Sequence, residues 1–190
     1  MAIAVLIYAI TIATAVWVGY MFLRNAELAA CRIRRQIPLV PSARALRDAV
    51  IKEIRENFPK MKTAVDIGSG FGGLARRIAR ECDLRVEALE NMPFAALVSR
   101  ARDNKNCRTI WCDAFGRIAE SDGYDIAVAY LGPGVNGRLA GLAKKFRVLI
   151  TLAVPVPGLT PTRVVDIGHG ATRYGRNLYP HKLFIYELGI

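Results

Sequence analysis

No Lys, Arg, Asp or Glu occurs between residues 2 and 23. Those 22 residues, wound as a helix rising about 1.5 Å each, match a hydrocarbon core about 30 Å thick. The pattern predicts a transmembrane anchor over residues 1–24, with Trp17, Tyr20 and Phe22 at the end where amphipathic rings favour the interface. Residues 25–41 read as a basic, proline-containing linker, because Pro38 and Pro41 push their predecessors out of helical geometry. From residue 42 a globular domain begins. Leu46, Ala49, Val50, Ile54 and Phe58 recur at helical spacing, with Ser42 placed to cap the helix. Arg44, Arg47, Lys52 and Arg55 fall on or beside its solvent face.

Short apolar strands then alternate with helical segments. Strands are expected to end at Ile67, Glu90 and Cys112, and to cover 124–131 and 147–154. Helices are expected at 74–80, from Pro93 to about Arg102, and at 138–146, with a short segment at 114–119. Pro155, Pro157, Gly158 and Pro161 open a loop, and 163–167 and 182–188 read as two final strands. Strand–helix alternation closing on two adjacent strands predicts an α/β domain with a mostly parallel sheet and an antiparallel terminal hairpin.

Composition narrows the partners. The 190 residues are 53% hydrophobic, enough for one good core, and carry a net charge of +11. That balance favours anionic partners: lipid headgroups, nucleic acid or an acidic substrate. Cys31, Cys82, Cys107 and Cys112 form no C-x-x-C pair and no metal-ligand spacing, so a metal site is not expected and a reducing compartment is.

The candidate chemistry lies at residues 65–73, Val-Asp-Ile-Gly-Ser-Gly-Phe-Gly-Gly. A strand that turns through glycines at 68, 70, 72 and 73 into a helix N-terminus offers free N–H groups to an anionic or polar nucleotide. Asp66 sits at the strand end, and Glu90, 22 residues past Gly68, lies where a ribose-binding acid belongs. The motif alone admits NAD or S-adenosyl-L-methionine.

Asp-Ile-Gly-Ser-Gly-Phe-Gly resembles the first motif of the seven-strand, Rossmann-like S-adenosylmethionine-dependent methyltransferases. Together with an N-terminal span, Pro38-Leu39-Val40-Pro41 before the first helix and Glu90-x-x-Pro93, it is similar to the small membrane-anchored protein-lysine methyltransferases. Mitochondrial members of that group modify the adenine nucleotide translocase and the ATP synthase c-subunit. The resemblance implies that Asp66, Gly68, Gly70, Gly72, Glu90 and Asp113 bind the cofactor and that Pro38 to Pro41 border the site. Asp113 has two readings, acceptor from the adenine amino group or cap of the segment after it. Where the group carries Asp-Gly-Arg after Gly-Ser-Gly, this chain has Phe71-Gly72-Gly73.

The reaction implied is transfer of a methyl group to a lysine amine, with Tyr130 as the candidate for shaping the amine pocket. His169 and His181 are further possible proton acceptors. Leu131-Gly132-Pro133-Gly134 lacks the amide or carboxylate that would hold a base amine, which counts against a nucleobase substrate. The expected partner is a membrane protein, with Arg24, Arg32, Arg34 and Arg35 on anionic headgroups. Cations after the span place the domain on the cytoplasmic side, or the matrix side in a mitochondrion. Two other readings stay open: a non-catalytic nucleotide-binding or docking protein, and an RNA methyltransferase.

Overall fold

The computed structural model describes residues 2–33, 42–168 and 181–189. The chain forms two compact units, Met1–Leu39 and Val40–Ile190. The first is helix α1 (Ala2–Ile33), which continues nine residues beyond Arg24. Among the described residues it alone is long and apolar enough to cross a membrane, and none of its Val5–Phe22 stretch is buried. Trp17 and Phe22 are 62% and 73% exposed. Its threonines fold back: Thr11 Oγ1 donates to Ile7 O at 2.9 Å and Thr14 Oγ1 to Ile10 O at 2.8 Å. Each hydroxyl is thereby satisfied within the helix, as an apolar surrounding requires.

The second unit opens with α2 (Arg44–Asn57), which buries Leu46, Val50, Ile51 and Ile54 along one stripe. Its N-cap is Ala43 with no side-chain bond, so Ser42 stands one residue too early to cap it. There follow β1 (Thr63–Ile67), α3 (Gly73–Glu81), β2 (Arg85–Glu90), α4 (Pro93–Arg100), β3 (Cys107–Trp111), α5 (Ala114–Ala119) and β4 (Tyr124–Ala129). A short α6 (Pro133–Asn136) leads through a 3₁₀ stretch, Gly137–Lys145, into β5 (Phe146–Leu152), β6 (Arg163–Asp166) and β7 (Lys182–Glu187). The α-helix expected at 138–146 is therefore a tighter winding that begins earlier. Gly137 and Gly141 weaken α-helix propensity there, and Leu139 is the one residue of the 3₁₀ stretch that is buried.

The seven strands lie in one sheet in the order β3-β2-β1-β4-β5-β7-β6. The first five are parallel; β7 runs antiparallel between β5 and β6. The mostly parallel sheet with an antiparallel terminal hairpin is thus present. On one face Ala64, Val86, Ala88, Ile126 and Val128 pack with the stripes of α2 and α3. Alternate residues, among them Val65, Ile67, Ala127 and Leu149, are buried on the other. Arg77 clamps α2 to α3, donating to Asp48 at 2.6 Å and to Glu81 at 2.9 and 3.0 Å. Between β5 and β6 a loop crosses the sheet. Asn136 Nδ2 and Thr151 Oγ1 hold it at Val154 O, at 2.7 and 2.8 Å, and Val156 N–H donates to Tyr186 OH at 2.8 Å.

Candidate functional site

The parallel strands all end on one side of the sheet, and the loop from β1 into α3 lies at its centre. Strand order reverses here, because β1 pairs with β2 on one flank and β4 on the other. A crevice at such a switch point is where open α/β sheets bind ligands. Gly68 N–H and Ser69 N–H both donate to Leu89 O, at 2.9 and 3.0 Å, tying the loop to the end of β2. Gly68, Gly70 and Gly72 have φ of +71°, +56° and +68°, a region that disfavours a side chain. Part of the glycine requirement is internal. A β-carbon on Gly68 would stand 2.9 Å from Leu131 Cδ2, and one on Gly72 would strike Ser99 and come within 2.7 Å of Arg76 Nη1.

Asp66 is 4% exposed. Its carboxylate takes the Ala75 N–H of the first turn of α3, while Oδ2 is buried without a partner. Burial, and to a lesser extent the charge of Glu90, push its pKa up to about 7 against the opposing pull of that bond. An unsatisfied buried acceptor is rare in a folded chain and points to a missing donor. Glu90, also 4% exposed, accepts from Gly70 N–H at 2.7 Å through Oε2 and from Met92 N–H at 2.8 Å through Oε1. Burial raises its pKa, and those backbone bonds work against the rise. Each carboxylate oxygen has room for a second donor.

Asp113 follows β3. Its side chain is 63% exposed; Oδ2 accepts from Gly116 N–H at 3.3 Å, capping α5, and lies 3.8 Å from Arg138 Nη2. The capping role foreseen for it is therefore made. The Arg138 guanidinium stacks 3.8 Å above the ring of Phe115. Tyr130, one residue past β4, is half-buried and leans on the α2–α3 core, on the same face as Val128. The structure thus gathers Asp66, Glu90 and the glycines at one loop, with Asp113 and Tyr130 at neighbouring strand ends. His181 is buried near the start of β7. His169 and Pro38 to Pro41 lie outside the described residues.

Two arginines add to the site. Arg76 Nη2 donates to Phe71 O at 2.8 Å and so braces the glycine turn, while Nη1 reaches Ser99 Oγ at 3.4 Å. Arg47, expected on or beside the solvent face of α2, instead turns inward, with Nη1 3.4 Å from where a Gly73 β-carbon would be. Its spacing held the signal: it stands four and seven residues before the buried Ile51 and Ile54.

Sheet order and crossings define the fold of the seven-strand S-adenosylmethionine-dependent methyltransferases. Solved structures similar to the chain include an RNA methyltransferase from Salinibacter ruber in complex with S-adenosyl-L-homocysteine, at 19% identity and a TM-score of 0.61 over 79% of this chain and 94% of that one. A precorrin 8w decarboxylase from Methanobacterium thermoautotrophicum gives 20% and 0.57 over 78% and 92%. A precorrin-6y C5,15-methyltransferase from Geobacter metallireducens gives 16% and 0.54 over 76% and 90%. No family model matches the sequence, and no curated protein sequence does.

Proposed function

We propose that this chain is an S-adenosylmethionine-dependent methyltransferase held at a membrane by α1, and that it methylates a lysine amine of a membrane protein. The observation that carries the cofactor reading is the loop between β1 and α3. It joins three left-handed glycines, a buried acceptor with no donor at Asp66 and a buried carboxylate at Glu90. These features suit a ligand with hydroxyls and an ammonium group. The similar proteins of the same fold, one crystallised with S-adenosyl-L-homocysteine, support the choice over NAD.

The residues divide the work by chemistry. Glu90, already oriented by two backbone N–H groups, would accept from the ribose hydroxyls with its remaining lone pairs. Asp66 would accept from the amino group, which favours its ionised form. Asp113 would accept from the adenine amine at the end of β3 while capping α5. When bound, the cofactor supplies a methyl group activated by a sulfonium. The chain's remaining task is to align a lysine amine with it, and Tyr130 is the side chain assigned to that border. A lysine ammonium has no lone pair, so the amine, of ordinary pKa about 10.4, must shed its proton before attack. Most of the acceleration would come from holding the two reactants in line.

The membrane part rests on α1 and on Arg24, Arg32, Arg34 and Arg35, each worth about 1 kcal/mol on an anionic leaflet. A tether raises the effective concentration of a target in the same bilayer without any new contact. Incubation of the purified chain with methyl-labelled S-adenosylmethionine and membranes from cells lacking it tests the whole reading. Label in lysine of a membrane protein is the expected result. Label in RNA from the same cells would instead support the reading that the net charge of +11 favours.

A further inference from the structure

Among the described residues, the Arg47 guanidinium has nothing to hold. It makes no hydrogen bond or ion pair in the described fold, and its Nε is buried without an acceptor. Its neighbours on the same layer are engaged: Arg77 with Asp48 and Glu81, Arg44 with Asp48, Arg76 with Phe71 O. A buried donor left unmet is costly, so an acceptor belongs there. Among the described residues, the turn it faces receives a side-chain acceptor only at Ala75 N–H, from Asp66. The N-cap of α3 is Gly72, which offers no side-chain bond, and the first turn carries no acid. Its leading N–H groups and Arg47 together form a positive corner beside Gly73.

An acidic side chain meets the same turn. Asp66 receives Ala75 N–H and keeps Oδ2 buried and unpartnered. Arg47 and Asp66 do not pair with each other, although both reach the first turn of α3. One unmet donor and one unmet acceptor across a single helical turn complement a zwitterion that carries its carboxylate and ammonium on one carbon. The loop 68–73 contains no cation of its own, so the positive charge has to come from another element, and α2 provides it.

Building on the cofactor reading above, we infer that Arg47 binds the carboxylate of the methionine portion of S-adenosylmethionine. It thereby makes the site select an adenosyl ligand that carries an amino-acid end. A guanidinium offers parallel N–H groups to both carboxylate oxygens, a match that a lysine ammonium cannot reproduce.

The test compares two probes that differ in that end alone. S-Adenosylhomocysteine carries the amino acid; 5′-methylthioadenosine has the adenosyl thioether without it. Calorimetric titration of the full chain in detergent should show wild type preferring S-adenosylhomocysteine. Arg47→Ala should weaken S-adenosylhomocysteine on the order of 10- to 100-fold and leave 5′-methylthioadenosine within about twofold. Arg47→Lys should fall between. Arg47→Gln, which keeps a long polar stem, reads the same ratio should the alanine variant not fold. An unchanged ratio between the probes, whether both weaken or neither does, would overturn the role of Arg47 while leaving the cofactor site standing. Wild type that binds neither probe would overturn the cofactor reading, and the assignment of Arg47 with it.

Discussion

Replacing Asp66 by Asn should make the ligand-free protein more stable and the cofactor bind less well. Asp66 is 4% exposed, and its carboxyl is pushed from an ordinary 3.8 up to about 7, chiefly by burial. The folded state therefore holds a proton that the unfolded chain releases, so stability falls as pH rises from about 4 to about 7. At about 1.4 kcal/mol for each pH unit between those values, the loss reaches about 4 kcal/mol at pH 8 and under about 2 kcal/mol at pH 5. Asn keeps an oxygen for Ala75 N–H and cannot ionise, so Asp66→Asn escapes this loss. In a domain of this size the variant should melt roughly 10 °C above wild type at pH 8, with less than half that gain at pH 5. Cofactor binding should move the other way. Wild-type affinity should weaken up to tenfold for each pH unit below about 7 and level off above it, whereas the variant should bind weakly with no such slope. Thermal melting and titration calorimetry of the full chain in detergent, from pH 5 to 8, read both. A melting difference that does not change with pH, or a variant less stable at pH 8, would refute the reasoning.

Other substitutions separate the parts of the site. Glu90→Ala should weaken S-adenosylmethionine binding by about 1.5–3 kcal/mol, measured by calorimetry, because it removes a charge-assisted acceptor. Gly72→Ala should cost about 2 kcal/mol or more in stability, seen as a melting point lower by several degrees. Its φ of +68° and the crowding by Ser99 and Arg76 both oppose a β-carbon. Alkaline carbonate should leave the full-length protein in the membrane pellet, since α1 exposes an apolar surface along Val5–Phe22; release into the supernatant would contradict a spanning helix.

The strands were legible because each is a short apolar run that ends in glycine, acid or proline, as at Ile67-Gly68 and Leu89-Glu90. The gathering of Asp66, Glu90 and the glycines follows from the same signals, since parallel strands bring their C-terminal ends together. The hairpin was legible, but the insertion of β7 between β5 and β6 was not, because strand order is fixed by packing and not by periodicity. The 3₁₀ winding at Gly137–Lys145 was misread as an α-helix, since apolar spacing there says nothing of how few residues the core takes up. Arg47 was expected on or beside the solvent face of α2, although its position continues the buried stripe. The unpartnered oxygen of Asp66 depends on what fails to reach it, and Gly72 on Ser99 and Arg76 arriving from elsewhere in the chain. No local pattern records either.

The central claim is that the loop between β1 and α3 holds S-adenosylmethionine, and a binding titration of the full chain in detergent tests it most directly. Binding should saturate at one site per chain, be competed by S-adenosylhomocysteine but not by NADH, and be abolished by Gly70→Val. Binding that is absent, that NADH displaces, or that survives Gly70→Val unchanged would contradict it.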